Sequence, residues 1–427
     1  MAQSIISAKR VKLMHILLLS HYYPPEVTPG ANRTYEHACR WAKEKDVKVS
    51  VITNHPHHPH GVLFPGYANR LFTYERREGI DLYRVKTFLS PSSGVVRRSL
   101  NYLVYMGAAT AMATKIPKPD LVVATSPQFL CAVAGYLASK LQKCSFIFEL
   151  RDIWPDSIVT VGAMEKGLLI RILEKLELSL YQKAALIVPL TNAFKDYLID
   201  KGISSSKIQV IKNGVDLVFF KPQNPNPILT AKLGAQDKFI VSYVGTVGMA
   251  HALDKVVLVA ERLQNYPKIL FLIVGEGAKK KEIKNLITEK GLTNIKVLPG
   301  VSKEEVRAYY ALSHLVIVTL KNTSLFRKVI PSKIFEIMAM ARPILCAVDG
   351  ECWQIVEEAG SGVFVEPENV EEMAAAILKL AGELERLTSM GERGRQFVET
   401  FFNRDVLARQ YLEVLREASG NHHPVTW

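Results

Sequence analysis

Cysteine is scarce in this sequence, and several common site signatures are absent. The 427 residues include five cysteines, at positions 39, 131, 144, 346 and 352, and no C-x-x-C pair. An odd number of cysteines without paired spacing argues against a disulfide framework and favours a reducing compartment. No zinc-finger, helix-turn-helix or RNA-binding signature occurs, so we expect no nucleic-acid partner.

Long hydrophobic runs are missing as well. The apolar run 13–19 is short, contains His15 and lacks a small-residue cleavage site, so it predicts a first β-strand rather than a signal peptide. The stretch from Ser99 to Thr114 is uncharged but short for a membrane span. It is either a buried helix or a partly exposed helix that meets a lipid surface.

Basic residues exceed acidic ones, which gives a formal net charge of +13. This excess favours anionic partners, such as phosphorylated ligands or an acidic membrane surface. Hydrophobic residues make up 48% of the chain, enough for substantial cores, and the length exceeds what one core ordinarily serves. Two domains are therefore expected.

Apolar runs of strand length alternate with helix-like stretches throughout the chain. The runs cover residues 15–20, 48–53, 121–126, 145–150, 185–190, 238–245, 269–277, 295–300, 315–320 and 343–348. Continuous apolar strands separated by helices predict parallel sheets that are covered on both faces.

A proline-rich segment, KPQNPNP at 221–227, interrupts this alternation and is typical of a linker. We therefore predict an α/β protein with two doubly wound, Rossmann-like domains, residues 1–220 and 221–402. The end of the chain, 403–427, contains an amphipathic helix that we expect to pack back on the first domain. Ligands of such sheets bind beyond the carboxyl ends of the strands, so the site is expected in the cleft between the domains.

The segment PSKIFEIMAMARPI, 331–344, has features of a phosphate site. Pro331 suits the first position of a helix, whose next amides, of Ser332 and Lys333, lack partners and favour an anion. Glu336 lies roughly 5 Å further along the axis and could accept hydrogen bonds from a pair of hydroxyls. A nucleotide diphosphate offers phosphate and ribose diol at this separation. A surface ion pair between Lys333 and Glu336 is the plainer alternative.

Glycines follow strand ends in both halves. Gly245 and Gly248 come after one predicted strand, Gly275 and Gly277 after another, and Gly30 opens a helix in the first domain. Glycine lets backbone approach a ligand closely. Neither a G-x-G-x-x-G fingerprint nor a G-x-x-x-x-G-K-[ST] loop occurs. Together these glycines favour a phosphorylated ligand in the cleft.

Six motifs carry a family resemblance. They are YYPPEVTPGANR (22–33), ATSPQF (124–129), RDIWPDS (151–157), VIKNGVDLVFF (210–220), VGEG (274–277) and PSKIFEIMAMARPI (331–344). In order and spacing they resemble glycosyltransferase family 4, the retaining nucleotide-sugar transferases with the GT-B fold. The chain is most similar to the WbuB-like branch, which builds bacterial surface polysaccharides and includes N-acetyl-L-fucosamine transferases.

The resemblance implies roles for particular residues. Glu336 matches the glutamate that holds the nucleotide ribose, Gly30 the glycine against the donor phosphates, and Asp152 the acid of a His-Asp pair near the sugar. The catalytic set is expected to be Asp152, Arg151 and Lys333. The donor site is expected to comprise Gly30, Asn213, Gly245, Thr246, Gly275, Glu276, Arg327, Lys328, Ser332, Lys333 and Glu336.

The sequence also departs from the family pattern. Lys328 stands where most members have a first glutamate that touches the donor sugar, and GTVGMAHALDK replaces a G-R-x-x-x-x-K-G motif. In the absence of that motif, Lys333 would neutralise the charge of the diphosphate, with Lys328 and Arg327 as further candidates. Arg151 occupies the usual histidine position, so a salt link to a phosphate or to Asp152 is expected there instead of a base.

The expected activity is retaining transfer of a sugar, N-acetylated or 6-deoxy, from a UDP-sugar to a polyprenyl-diphosphate-linked saccharide. The protein is expected at the cytosolic face of the membrane, held peripherally. A nucleotide-sugar 2-epimerase and a non-catalytic sugar-nucleotide binder are the alternatives.

The acceptor side is expected to involve His21, His58, Arg97 and Arg98. The arginines, with Lys115 and Lys118, flank the uncharged stretch and suit anionic headgroups. No metal or other cofactor is expected, because no D-x-D motif follows an apolar strand. The loop NHPHHPHG at 54–61 lacks nearby cysteine or acidic residues to complete a coordination shell.

Overall fold

The computed structural model describes residues 13–26, 28–58, 60–89, 95–160 and 167–420. Within them the chain forms two sheets of mainly parallel strands, each covered by helices. Residues 1–12 of the first predicted domain and 421–427 of the final segment lie outside the described part.

The first domain contains one seven-stranded sheet. Its strands are β1 (Met14–Leu19), β2 (Val47–Asn54), β3 (Phe72–Arg77), β4 (Ile80–Val85), β5 (Leu121–Thr125), β6 (Ser145–Leu150) and β7 (Leu186–Pro189). Its helices are α1 (Pro29–Trp41), α2 (Val95–Ala113), α3 (Phe129–Gln142), α4 (Asp156–Thr160), α5 (Leu168–Lys183) and α6 (Asn192–Asp200).

The strand order is β3-β4-β2-β1-β5-β6-β7, and every neighbouring pair is parallel except β3 and β4. The inner strands are apolar and buried because helices cover both faces; Ile16 of β1, for example, pairs with Val49 and Leu121. The edge strand β3 is mostly exposed and carries charges, which limits pairing with other chains.

The second domain contains a six-stranded parallel sheet in the order β10-β9-β8-β11-β12-β13. Its strands are β8 (Phe239–Val244), β9 (Ile269–Val274), β10 (Ile295–Leu298), β11 (Leu315–Thr319), β12 (Ile344–Ala347) and β13 (Gly362–Phe364). The helices that follow the first domain are α7 (Pro227–Leu233), α8 (Leu253–Arg262), α9 (Lys280–Glu289), α10 (Lys303–Leu312), α11 (Lys333–Ala339), α12 (Glu351–Glu358), α13 (Val370–Ala381), α14 (Leu384–Phe401) and α15 (Arg404–Ala418).

The last helix, α15, packs against α1 of the first domain. Tyr411, Leu412 and Leu415 join a core that includes Trp41. The Trp41 indole Nε1 donates a hydrogen bond to the carbonyl of Ala408 at 2.8 Å. The chain therefore crosses between the domains twice, at residues 221–226, which have no regular structure, and again before α15.

A carboxylate also joins the domains. Glu351 of α12 accepts hydrogen bonds from the amides of Asn192 (2.8 Å) and Ala193 (3.3 Å), in the first turn of α6. Lys212 Nζ lies 2.7 Å from the same carboxylate. An acid at a helix N-terminus satisfies amides that have no intrahelical partner and interacts favourably with the helix dipole. Glu351 is buried, so solvent screens this bridge little.

We predict that Glu351→Ala destabilises the protein by about 1–3 kcal/mol, because it leaves buried donors without acceptors. Thermal unfolding of the variant and the parent provides the measurement. Glu358→Ala is the matched control, since Glu358 is exposed at the end of the same helix. Equal unfolding midpoints for the two variants would show that the bridge contributes nothing.

Candidate active site

On the first domain, a buried arginine lies against a glycine at the carboxyl edge of the sheet. Gly30 is in the first turn of α1, and Arg151 directly follows β6. A Cβ on Gly30 would overlap Nη1 of Arg151, so only glycine leaves room for the guanidinium. The Arg151 amide is held by the Ser126 hydroxyl at 2.8 Å. The structure thus brings together two residues that the sequence assigned to the phosphate site and the catalytic set.

The guanidinium of Arg151 has unused hydrogen-bonding capacity. Its Nε is buried and has no hydrogen-bond partner among the described residues. Burial lowers the pKa of Arg151 to about 10, although the charges of Glu149 and Asp152 act in the opposite direction. Burial likewise raises the pKa of Asp152 to about 6. Among the described residues no ion pair joins Arg151 to Asp152, so the arginine remains available to an anion.

The second domain supplies a comparable cation, Lys333. Its Nζ lies 3.8 Å from the centre of the Tyr243 ring. A Cβ on Gly245 would come within 2.6 Å of that Nζ, and the φ of Gly245 is 142°, which also favours glycine. Nζ is buried and has no hydrogen-bond partner within the described ranges. Burial therefore lowers the pKa of Lys333 to about 7, with Glu336 opposing the shift.

The helix that carries Lys333 begins later than expected. We predicted Pro331 at its first position, but α11 begins at Lys333, and Ser332 occupies the N-cap without a capping side-chain bond. The preceding turn is tighter, because the amide of Ile334 bonds to the carbonyl of Pro331 at 3.1 Å. The difference shifts the helix start by two residues, and the side chain of Lys333 still reaches Gly245 at the end of β8.

Glu336 points into the same region. Burial raises its pKa, and the charge of Lys303 opposes this most strongly. The Tyr310 hydroxyl donates to Glu336 at 3.4 Å. No ion pair between Lys333 and Glu336 exists among the described residues, so the plainer alternative of a surface pair is wrong for this structure. The carboxylate remains a candidate acceptor for hydroxyl groups.

Charged side chains connect the two domains beside Glu336. Glu36 of α1 contacts Lys303 Nζ of α10 at 2.6 Å, and it contacts Arg404 Nη1 of α15 at the same distance. Arg33, also on α1, pairs with the buried Glu149 at 2.6 Å. The Glu36–Lys303 pair joins α1 to the second domain close to the ribose-binding candidate, whereas the Arg33–Glu149 pair lies within the first domain.

Asn213 is held by this network. Its side-chain oxygen accepts a hydrogen bond from Arg33 Nη1 at 2.9 Å. Asp216 accepts hydrogen bonds from the amides of Val218 and Phe219 and contacts Arg40 at 3.2 Å. The polar side chains of the NGVD motif therefore bind other groups of the protein and hold the chain in place at the rim of the cleft.

Other donor-site candidates lie around the carboxyl ends of β8 and β9. Gly275 packs on the carbonyl of Gly245, where a Cβ would overlap the oxygen. Thr246 is exposed, and its carbonyl accepts from the Tyr243 hydroxyl at 2.7 Å. Glu276 is bound by Lys280 Nζ at 2.6 Å, which lowers its pKa. Among these residues, Gly275 borders Gly245, the glycine that lies against Lys333 Nζ.

Arg327 and Lys328 are placed apart from Lys333. Arg327 is exposed, and its Nε lies 3.5 Å from Asp349. Lys328 Nζ lies 4.9 Å from the centre of the Tyr197 ring of the first domain. Lys328 also lines a pocket of about 220 Å³ that includes Asp156. Neither cation contacts the Lys333 region, so Lys333 is the better candidate for the diphosphate.

The acceptor-side candidates have different degrees of exposure. His21 is 0% exposed and makes edge-to-face contacts with Tyr22, Tyr102 and Tyr105. Burial, together with His57, lowers the pKa of His21 to about 3, so it is neutral at physiological pH. The described part of the chain contains no cluster of three or more His, Cys, Asp or Glu residues able to hold a metal ion.

His58 and Arg97 are more accessible. His58 is partly buried, and its amide donates to Glu26 at 2.9 Å. Arg97 is exposed near the start of α2. The side chain of Arg98 lies outside the described part.

Two residues of this site, Tyr243 and His251, were not predicted from the sequence. Tyr243 supplies the ring beneath Lys333, and His251 has a buried Nδ1 without a hydrogen-bond partner among the described residues. Burial and the charge of Lys333 lower the pKa of His251 to about 3. The only available signal was the position of both residues in the glycine-containing segment 243–251.

Two protein-family models match the chain. The Glycosyl transferase 4-like domain covers residues 29–214, and Glycosyl transferases group 1 covers residues 226–397. The chain is therefore a glycosyltransferase built from these two domains. The WbuB-like branch stays a prediction.

Two curated relatives illustrate the match. The putative colanic acid biosynthesis glycosyl transferase WcaI of Escherichia coli K12 is 24% identical over 419 residues, which is 94% of this chain and 100% of that protein. The amylovoran biosynthesis glycosyltransferase AmsK of Erwinia amylovora is 21% identical over 324 residues, which is 73% of this chain and 76% of that protein.

Two solved structures share the fold. Anabaena Alr3699/HepE in complex with UDP and glucose superposes with a TM-score of 0.70 at 17% identity, covering 94% of this chain and 99% of that one. Sucrose-phosphate synthase of Thermosynechococcus elongatus gives a TM-score of 0.73 at 17% identity, with coverage of 96% and 100%. These likenesses and the two facing parallel sheets confirm the predicted GT-B fold.

We predict that Lys333→Met raises the thermal stability of the ligand-free protein at about pH 7, because it removes a desolvated cation. Lysine has a pKa of 10.5 when unperturbed and about 7 here, so the unfolded chain binds more protons between these values. The stability of the parent should then rise as the pH increases between these two values. The difference in stability between the variant and the parent should become smaller over the same range. Thermal unfolding at several pH values provides the measurement.

Lys281→Met is the control, because Lys281 is exposed on α9. A Lys333→Met variant that is less stable than the parent at about pH 7 would contradict the buried, unpartnered state of Lys333.

Proposed function

We propose that the protein transfers a sugar, with retention of configuration, from a UDP-sugar to a polyprenyl-diphosphate-linked saccharide during surface-polysaccharide synthesis. The observation that carries this proposal is a pair of buried cations, Arg151 and Lys333, one on each domain. Each lies against a glycine, and each has a nitrogen without a hydrogen-bond partner among the described residues. The sugar is proposed to be N-acetylated or 6-deoxy.

A diphosphate would supply the negatively charged partner that these two cations lack among the described residues. Burying an unpaired charge is costly, and a partner with opposite charge offsets that cost. Lys333 would contact the diphosphate from the second domain while Glu336 accepts hydrogen bonds from the ribose diol. Arg151 would approach it from the first domain. The solved complex of HepE with UDP, a protein of the same fold, supports a nucleotide donor.

The proposed chemistry relies on positioning and charge. The leaving phosphate takes the proton of the acceptor hydroxyl on the same face of the sugar, and the two cations stabilise the negative charge that develops on the diphosphate. Asp152, whose pKa is raised by burial, would orient groups near the sugar. The reaction is proposed to need no metal ion.

The acceptor class is proposed from the surface of the first domain. Helix α2 packs against α3, and α3 against α5, on one face of the sheet. Outward-facing apolar side chains occur on all three helices: Leu100, Leu103, Val104, Leu137, Leu141, Leu168, Leu169, Ile172 and Leu176. Exposed apolar patches of this kind commonly mark protein or membrane contacts.

Exposed cations accompany this apolar surface. They are Arg97, Lys115, Lys140, Arg171 and Lys175. Apolar side chains flanked by cations suit the interface of an anionic membrane, where a lipid-linked acceptor would be presented. No helix in the described ranges is both long and apolar enough to cross a membrane.

The names of two relatives point to the biological setting. They are associated with colanic acid and amylovoran biosynthesis, which supports a role in extracellular polysaccharide synthesis here. The two glycosyltransferase domains favour transfer over the epimerase and the non-catalytic binder. Incubation of the donor without acceptor separates them, because an epimerase alone would convert it.

We predict that Glu336→Ala weakens UDP binding by roughly 10- to 150-fold, because the ribose diol loses a charged acceptor. Isothermal titration calorimetry of the free protein provides the measurement. Glu357→Ala, at an exposed position of α12, should bind UDP like the parent. Unchanged UDP affinity in Glu336→Ala would refute the ribose assignment.

We also predict that replacing both Leu100 and Leu103 with Glu reduces binding to vesicles that contain anionic phospholipid. Both side chains are more than 40% exposed, so the substitutions should leave folding and UDP affinity unchanged. Vesicle co-sedimentation at increasing salt provides the measurement, and binding of the parent should weaken as salt screens the flanking cations.

Ile228→Glu serves as the control, since Ile228 is 80% exposed on the second domain. If the double variant binds vesicles as well as this control does, the face formed by α2, α3 and α5 does not contact the membrane.

A further inference from the structure

A pocket of about 640 Å³ lies in the second domain, away from the cleft. It opens at the amino ends of β11 and β12, whereas the cleft lies beyond the carboxyl ends of the strands. Its walls come from the linker at Pro222, the turn between α11 and β12, and one face of α14. This volume is within the range of small-molecule sites and far exceeds that of an inorganic anion.

One cation in this pocket, Arg342, has no hydrogen-bond or ion-pair partner among the residues that the structure describes. Arg342 Nε is buried and makes no hydrogen bond to any described residue. No described carboxylate forms an ion pair with Arg342. The neighbouring Arg395 has partners, by contrast: its Nε contacts Glu399 at 2.6 Å, and its Nη1 donates to the carbonyls of Phe220 and Ala339 at 2.8 Å. Arg342 is therefore the free guanidinium of the pocket.

His314 adds a neutral donor. Its Nδ1 accepts a hydrogen bond from the amide of Ile240 at 3.0 Å, so the neutral ring carries its proton on Nε2. Burial and the charge of Arg342 lower the pKa of His314, which keeps it neutral at physiological pH. The carboxylate of Glu392, which also lines the pocket, is exposed to solvent.

The remaining wall is largely apolar. Met340, Pro343, Leu384 and Leu387 line it. An inorganic phosphate would leave this surface uncovered, and a purely apolar ligand would leave Arg342 without a partner. The lining is therefore complementary to a molecule with one anionic end and an apolar body.

We propose that this pocket is a second ligand site, which binds a small organic anion with its charged group on Arg342 and His314 and its apolar body against α14 and the α11–β12 turn. The charged group is a carboxylate, sulfonate or phosphate. This site is separate in space from the donor site in the cleft.

A short structural path connects the two sites. Helix α11 carries Glu336 near the cleft, and Met340 follows its last turn at the pocket. The amide of Met340 donates to the carbonyl of Glu336 at 3.0 Å. Ala341, which follows Met340 and also lines the pocket, holds a left-handed conformation with φ of 52°. Occupancy of the pocket should therefore change nucleotide affinity, and the nucleotide should change pocket affinity by the same factor.

Anilinonaphthalene sulfonate is a suitable probe, because it combines a sulfonate with an apolar body and fluoresces when bound. Titration of the full-length parent should reveal a saturable component. Arg342→Gln should weaken that component by about tenfold or more, since the charged hydrogen bond is lost. Thr388→Glu, on the pocket face of α14, should weaken it by repulsion and tests the site independently.

Arg386→Gln is the matched control, since Arg386 is exposed on α14 and is not among the residues that line the pocket. Loss of probe binding in Arg342→Gln and Thr388→Glu but not in Arg386→Gln supports the site. Equal binding in all four proteins would place the probe elsewhere and refute the site, as would direct competition, in which the apparent probe affinity keeps falling without limit as UDP is raised. A probe affinity that is independent of saturating UDP would refute the connection through α11.

Discussion

The structure is organised around two buried cations, Arg151 and Lys333, each of which has a nitrogen without a hydrogen-bond partner among the described residues. Arg151 and Lys333 approach the cleft from different domains, each through space that only a glycine leaves open. Desolvation lowers both pKa values, so the ligand-free protein bears an electrostatic cost at the site. In the proposed donor complex, a bound diphosphate would offset that cost.

This arrangement requires the two domains to keep a fixed orientation relative to each other. Glu36 contacts Lys303 of the second domain and Arg404 of the last helix, while Glu351 caps a helix of the first domain. Buried pairs of this kind contribute little net stability compared with apolar packing, yet breaking one leaves an uncompensated charge. Their role here is to define how the two sheets face each other, and so where Arg151 lies relative to Lys333.

Much of the fold was predictable because the ten apolar runs correspond to ten parallel strands, most of them buried. Three strands were not predicted, and their properties show where the pattern of apolar runs fails. β3 is polar and exposed at a sheet edge, β4 pairs beside it, and β13 has only three residues. Lys333 and Glu336 could be selected from the sequence because their spacing on one helix fits phosphate and ribose recognition, and those roles stay predictions. Lys303, Glu36 and Arg404 were not, because contacts between residues far apart in sequence leave no local pattern. Nor could the sequence show that Arg327 faces Asp349.

The most direct test is to count the protons that UDP binding takes up at about pH 8.5, by calorimetry in buffers with different ionisation enthalpies. Lys333 has a pKa of about 7 in the free protein, so it is mostly neutral at that pH and must gain a proton to face a diphosphate. The account predicts uptake approaching one proton per UDP, which disappears in Lys333→Met and diminishes at about pH 6. UDP binding without proton uptake, or with equal uptake in the variant, would contradict it.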